Sequence, residues 1–209
     1  MSDIGNMLSD VCPVSRETVD RLKIFVDLIE KWSARINLVA GSTRQDMWAR
    51  HVCDSLQLMA LCPEPQPWVD LGSGGGFPGV VTAIALAEHN AGWVHLVESN
   101  QKKAAFLRAA LHHTGGRGSV HAIRIEASSH VAPEAWSVSA RALADLSTLL
   151  KLSHPWLSDR HATGWFHKGR DYEKEVAAAR GDWRFDLIEH RSKINPESVV
   201  LQIRHLERI

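Results

Sequence analysis

Residues 69–79 read Val-Asp-Leu-Gly-Ser-Gly-Gly-Gly-Phe-Pro-Gly, and no other stretch restricts the fold as strongly. A short apolar run, Trp68–Leu71, meets four glycines within five positions, then Phe77-Pro78-Gly79, then an apolar series from Val80. Glycine lets a chain turn at positive φ and lets backbone N–H groups come close to a ligand. A helix that starts straight after such a turn aims its free N-terminal amides at whatever lies there. The spacing predicts a strand over 68–71, a ligand-cradling loop and a helix over 79–87.

The rest of the chain falls on either side of this unit. Residues 15–61 carry a helical pattern, with Val19, Leu22, Phe25, Val26 and Ile29 spaced by three and four and a further helix over 47–61. Pro63, Pro65 and Pro67 close that part with an extended connector, so we expect a helical extension over 1–66 packed on a core of 67–209, together one compact unit. From there strands are expected over 68–71, 93–97, 120–125, 136–140, 163–167, 185–190 and 198–203, with helices over 79–87, 101–113 and 145–152. Strands alternating with helices imply right-handed crossovers and an α/β fold with a mainly parallel seven-stranded sheet. The last two strands have no helix between them and read as an antiparallel hairpin at the sheet edge.

Charge and cysteine content remove several classes. Lys+Arg 24 balances Asp+Glu 24, so any nucleic-acid contact must come from local charge. Cys12, Cys53 and Cys62 form no C-x-x-C pair, which fits a reduced compartment with neither a disulfide framework nor a zinc site. The 12 histidines are scattered, and no metal is expected. The N-terminus lacks a basic start and an apolar stretch, and no apolar run approaches the length of a bilayer span. The expectation is a soluble, cytoplasmic protein without membrane contact.

Three cofactor classes use a loop of this kind. Residues 74–79 match G-x-G-x-x-G, but in so glycine-rich a stretch the match carries little weight. Against a nicotinamide dinucleotide, Pro78 removes an amide where a pyrophosphate needs donors, and Phe77 adds bulk where close approach is wanted. No Gly-Lys-Ser/Thr follows, which excludes a P-loop. S-adenosylmethionine carries no phosphate and needs only a tight turn beside its amino-acid end. Glu98, at the end of the second strand, sits where Rossmann-type sheets hold a ribose diol about 20 residues beyond the loop. It supports an adenosine cofactor without selecting one.

After the fourth strand the chain reads Ser139-Ala140-Arg141-Ala142, not the Asn/Asp-Pro-Pro-aromatic of exocyclic-amine methyltransferases. No cysteine lies in the alternating region to attack cytosine C6. A target with a free lone pair, such as guanine N7, needs neither proton removal nor covalent activation, and positioning alone can carry its methylation. A small-molecule or protein methyltransferase, and a nucleotide-binding module without chemistry, would share the same loop.

Taken in order, several segments resemble the small-subunit ribosomal RNA methyltransferase G family, also called glucose-inhibited division protein B. They are Lys31-Trp32 with Asn37-Leu38, Arg50-His51 with Asp54-Ser55, and Asp70–Gly79. Further on come Glu98-Ser99 with Lys102-Lys103, Phe106-Leu107-Arg108, Ser139–Ala142 and His167-Lys168-Gly169. Glu98 stands where an aspartate is common, and both can hold a diol. The resemblance runs from about Glu30 to the C-terminus. It implies a Rossmann-like class I methyltransferase fold and transfer of a methyl group from S-adenosylmethionine to guanine N7 in the 530 loop of bacterial 16S rRNA, with a monomeric enzyme acting on rRNA or the small ribosomal subunit. It further implies that Gly72, Gly74 and Phe77 line the cofactor pocket, Glu98 takes the ribose, and Ile125 and Glu126 flank the adenine. Arg141 would lie between the methionine end and the target base. Lys168, at the carboxyl end of the fifth strand, would contact guanine O6 or a phosphate. Arg44, Arg50 and His51 in the helical part, with Lys168 and Arg170, could form a phosphate-binding rim. Arg50, His51 and Asp54 read equally well as an internal corner tying the helices to the sheet.

Overall fold

The computed structural model describes residues 3–39, 46–158 and 162–209. Arg44 lies outside them. Seven strands, β1 (Pro67–Leu71), β2 (Trp93–Val97), β3 (Gly118–His121), β4 (Ser137–Arg141), β5 (Thr163–Lys168), β6 (Trp183–Arg191) and β7 (Val199–Arg208), form one sheet in the order β3-β2-β1-β4-β5-β7-β6. β1 to β5 run parallel; β7 is antiparallel to both β5 and β6. The order reverses between β1 and β4, and at such a switch point the crossovers leave in opposite directions and open a crevice at the carboxyl ends of the strands.

Strand alternation feeds two cores. Trp68, Val94 and Leu96 point to one face, and Val69, Leu71, Val97 and Val138 to the other. The first face is covered by α1 (Asp3–Val11), α2 (Arg16–Ser33), α3 (Asp54–Leu61), α4 (Gly79–Glu88) and α5 (Gln101–Thr114), with Leu22, Phe25, Ile29, Ile84 and Phe106 buried at the centre. The second is covered by α6 (Leu146–Leu157) and α7 (Tyr172–Ala179), around Leu150, Trp156 and Phe166. Caps mark the helix starts. Ser15 Oγ accepts from Thr18 N–H, Asn100 Oδ1 from Lys102 and Lys103, and Asp145 Oδ1 from Thr148.

The N-terminal helices are tied down by polar contacts as well as by burial. Ser15 N–H and Thr18 Oγ1 both donate to Glu88 at the end of α4, each at 2.9 Å. Lys193, in the β6–β7 turn, donates from its backbone to Gln57 Oε1 (2.7 Å) and from Nζ to Val11 O (3.2 Å).

Several local expectations differ from the structure. The strand expected over 120–125 is Gly118–His121; the chain then leaves the sheet, and Ile123 and Ile125 pack on the second core from outside it. The single helix expected over 47–61 begins as a π-helical segment, Met47–Cys53, before α3. The helix expected over 145–152 continues through Pro155 to Leu157, and α7 was not expected at all.

Candidate cofactor and base-binding site

The glycine loop follows β1 at the switch point. Gly72, Gly74 and Gly76 have φ of 66°, 52° and 91°, and the Phe77–Pro78 peptide bond is cis. The glycines serve two different needs. A Cβ on Gly75 would lie 2.6 Å from Leu38 O, so that residue is glycine because the chain passes over it. A Cβ on Gly74 would meet nothing nearer than Gly72 O at 3.6 Å, so its open side is space a ligand can use.

Glu98 faces that space from the end of β2. Its Oε2 accepts from Gly74 N–H (2.9 Å) and its Oε1 from Asn100 N–H (2.7 Å), and the residue is 8% exposed. Two backbone donors fix the carboxylate, and each oxygen keeps a lone pair for a diol. Beyond β3, Ile125 and Glu126 form a one-turn 3-10 helix, Ile125 half-buried and Glu126 exposed. Below the loop, Asp70 is fully buried. Ser139 Oγ donates to its Oδ1 (2.6 Å) and accepts from Trp68 Nε1–H (2.8 Å), which links β1 to β4. Burial pushes the Asp70 carboxyl up to about 6, against the pull of Ser139, Ser73 and the Gly79 N–H.

Arg141 ends β4 on the other side of the switch point, and Ala142 after it turns at a φ of 52°. Its guanidinium is held on three sides. Nη2 donates to Arg50 O (2.6 Å), Nη1 meets His51 Nδ1 (3.2 Å), and Nε lies 3.3 Å from Asp54 Oδ2. Burial lowers the Arg141 pKa, and Asp54 opposes the effect. Burial, and then Arg141, lower that of His51 to about 4. His51 is therefore neutral, and because Arg141 can only donate, Nδ1 is the acceptor. The His51 ring lies 5.0 Å from that of Phe77, so the same contacts reach back to the glycine loop.

Asp54 joins the two ends of the chain. Its Oδ1 accepts from Gln57 Nε2 (3.0 Å) and from Ser192 Oγ (3.4 Å), and its backbone carbonyl meets His167 Nε2 at 3.0 Å. His51 and Asp54 thus have inward contacts, whereas the Arg50 side chain is exposed and paired with Asp46 at 3.3 Å.

Lys168, at the end of β5, is buried to 8% exposure. Its Nζ donates to Ala144 O and to Glu175 Oε2, both at 2.6 Å. Arg170 is exposed and pairs with Glu197 at 2.7 Å. At the carboxyl ends of β4 and β5 lies a cavity of about 300 Å³ lined by Asp54, Arg141, His167, Lys168 and Glu175. A smaller one of about 120 Å³ is lined by Arg50, His51, Asp54 and Arg141. A larger cavity, about 650 Å³, lies between α2 and α5 and touches none of the residues named for the site. The structure brings Gly72, Gly74, Phe77, Glu98, Ile125, Glu126, Arg141 and Lys168 to one edge of the sheet. Glu175, on the unexpected α7, had no signal beyond being an acid seven residues past a strand end.

The family model described as rRNA small subunit methyltransferase G matches residues 18–204. The ribosomal RNA small subunit methyltransferase G of Rhizobium etli is 59% identical over 197 residues, covering 94% of this chain and 96% of its own. That of Rhizobium meliloti is 60% identical, covering 93% and 92%. Among solved structures, a methyltransferase from Geobacter sulfurreducens has a TM-score of 0.53 at 16% identity, covering 98% of this chain and 96% of its own. A ribosomal protein L11 methylase from Lactobacillus delbrueckii subsp. bulgaricus has a TM-score of 0.52 at 14% identity, covering 79% of each chain. At such identities the likeness shows the fold alone, that of class I methyltransferases.

Proposed function

Because the chain belongs to the rRNA small subunit methyltransferase G family, and is by that membership a 16S rRNA methyltransferase, we propose that it methylates guanine N7 in the 530 loop, with S-adenosylmethionine as donor. The observation that supports this best is the division of the carboxyl edge. A glycine cradle with a fixed carboxylate lies over β1 and β2, and a polar cavity lined by two cations lies over the ends of β4 and β5. The cradle suits an adenosine cofactor without phosphates. Gly74 leaves its open side free, Glu98 offers lone pairs to a ribose, Gly72 and Phe77 wall the loop, and Ile125 and Glu126 border the adenine end.

S-adenosylmethionine, when bound, supplies a methyl group on a sulfonium, electrophilic enough to react with a neutral nitrogen. The protein's own part is positioning and charge. N7 of guanine has a free lone pair, so no base is required, and holding the ring in line is worth several orders of magnitude in rate. Arg141, fixed by three partners, borders the boundary between the two halves of the site. In this reading Lys168 donates to O6, which shares an edge of the base with N7, and Arg141 and Lys168 are the proposed catalytic residues.

Arg50, His51 and Arg170 border the same edge, and with Arg44, outside the described residues, they form the proposed contact with RNA phosphates, while Lys168 contacts the base. Residues 1–66 act in this scheme as an extension of the core at 67–209, in a monomeric, cytoplasmic enzyme. No helix among the described residues is long and apolar enough to cross a membrane. Labelled methyl from S-adenosylmethionine, offered to small ribosomal subunits lacking the modification, should enter 16S rRNA. Label confined to ribosomal protein, or absent despite cofactor binding, would remove rRNA as the substrate.

A further inference from the structure

N7 carries the same lone pair in guanine and adenine, so attack at N7 does not by itself select the base. Selection must come from the edge of the ring that bears O6 and N1. We propose that Glu175 reads that edge, accepting the guanine N1–H on Oε1 while Lys168 donates to O6. This rests on the guanine-N7 reading above.

The Lys168–Glu175 pair is built to present one donor beside one acceptor. Glu175 Oε2 is fully engaged, accepting from Leu146 N–H (2.7 Å) and from Lys168 Nζ (2.6 Å). Oε1 has no partner among the described residues, and Glu175 lines the cavity at the ends of β4 and β5. Lys168 commits one N–H to Ala144 O and one to Glu175, which leaves the third of its three donors. The pair is held rigidly, because Leu146 N–H opens α6 and Ala144 lies just before it.

Guanine offers an acceptor, O6, next to a donor, N1–H, and matches this pattern. Adenine offers the reverse, an N6 amino donor next to the N1 acceptor. It would set donor against donor and acceptor against acceptor, leaving buried polar groups unpaired. Cytosine fails for the same reason. Uracil presents the guanine pattern but has no N7 to methylate. Two side chains and the reaction together therefore suffice to choose one base in four.

The test uses the full chain and small subunits with guanine, adenine or 1-methylguanine at the mapped position, read as single-turnover methyl transfer. In Glu175→Gln the amide oxygen can keep Leu146 N–H and Lys168, while its NH2 takes the place of Oε1 and faces N1. The preference for guanine over adenine should narrow by about tenfold to about a hundredfold, the discrimination carried by a good base-edge contact. The wild type should fail on 1-methylguanine although its N7 is free, an arm that does not depend on the variant folding. A variant that slows both bases equally, or wild-type transfer to 1-methylguanine at the guanine rate, overturns the proposal. The wild-type map separates the two levels: label on an atom other than guanine N7 overturns the underlying reading, whatever Glu175 does.

Discussion

Asp54→Asn removes one charge and almost no volume from the point where the two ends of the chain meet. In the wild type the Asp54 and Arg141 side chains are 12% and 19% exposed, with Nε and Oδ2 3.3 Å apart. Breaking a fully buried pair by neutralising one partner costs about 3–5 kcal/mol. Two features reduce that here. Some solvent reaches both groups, and the amide oxygen of asparagine can still accept from Gln57 or Ser192. A loss of about 2 kcal/mol is expected, and a similar loss for Arg141→Met, which strands the carboxylate instead. Together the two changes should cost about 1–2 kcal/mol less than their sum, because the double variant, unlike either single one, leaves no unpaired ion. Urea unfolding followed by tryptophan fluorescence, on wild type, both single variants and the double variant, gives the four free energies. A coupling under about 0.5 kcal/mol would refute the reasoning, since it would mean that Arg141 is held by its neutral partners alone.

Three further outcomes are expected. His51 is depressed to about 4 from 6.5, so between those values the unfolded chain binds a proton that the fold does not. Its contribution is complete above pH 6.5 and lost as pH falls toward 4. The bound of about 3 kcal/mol set by that fall is reduced to about 1–2 kcal/mol by solvent at this partly exposed ring. Wild type minus His51→Gln stability should shrink by that much from pH 7 to pH 4, and a flat difference would contradict it. Gly74→Ala and Gly75→Ala should separate two jobs of one loop. The first costs about 1–2 kcal/mol for its positive φ and also abolishes the thermal shift given by S-adenosylmethionine. The second mainly destabilises, through the clash with Leu38 O, and equal ligand effects would sink the distinction. Glu98→Gln should weaken S-adenosylmethionine by about tenfold or more in a titration, because it exchanges one of two fixed acceptor oxygens for a donor. Unchanged affinity would take Glu98 out of the cofactor site.

What could be read from the sequence was the part governed by local rules. A run of glycines between a strand and a helix announces its conformation, because few residues tolerate positive φ. Short apolar runs alternating with helical segments placed most strands near their observed positions, and Glu98 and Arg141 fell at strand ends by simple counting. The misread third strand shows the limit. Val120, Ile123 and Ile125 look like one apolar run, but only the first lies in the sheet, while the others pack on the core from a loop. The polar helix α7 was invisible because just two of its residues, Tyr172 and Ala179, are buried. The junction at Asp54 draws on Arg141, His167 and Ser192, which no spacing rule connects to it. Glu175 was missed for both reasons, being on the unseen helix and paired with Lys168 on another element.

The most direct test is to locate the methyl group itself. Small subunits lacking the modification, incubated with the enzyme and labelled S-adenosylmethionine, would be cleaved by chemistry specific for N7-methylguanine and read at single-nucleotide resolution. One enzyme-dependent break, within the 530 loop and coincident with the label, is the expected result. Label at a base that resists this cleavage, or at a site elsewhere in 16S rRNA, would contradict the assignment of the cavity at the ends of β4 and β5 to that guanine.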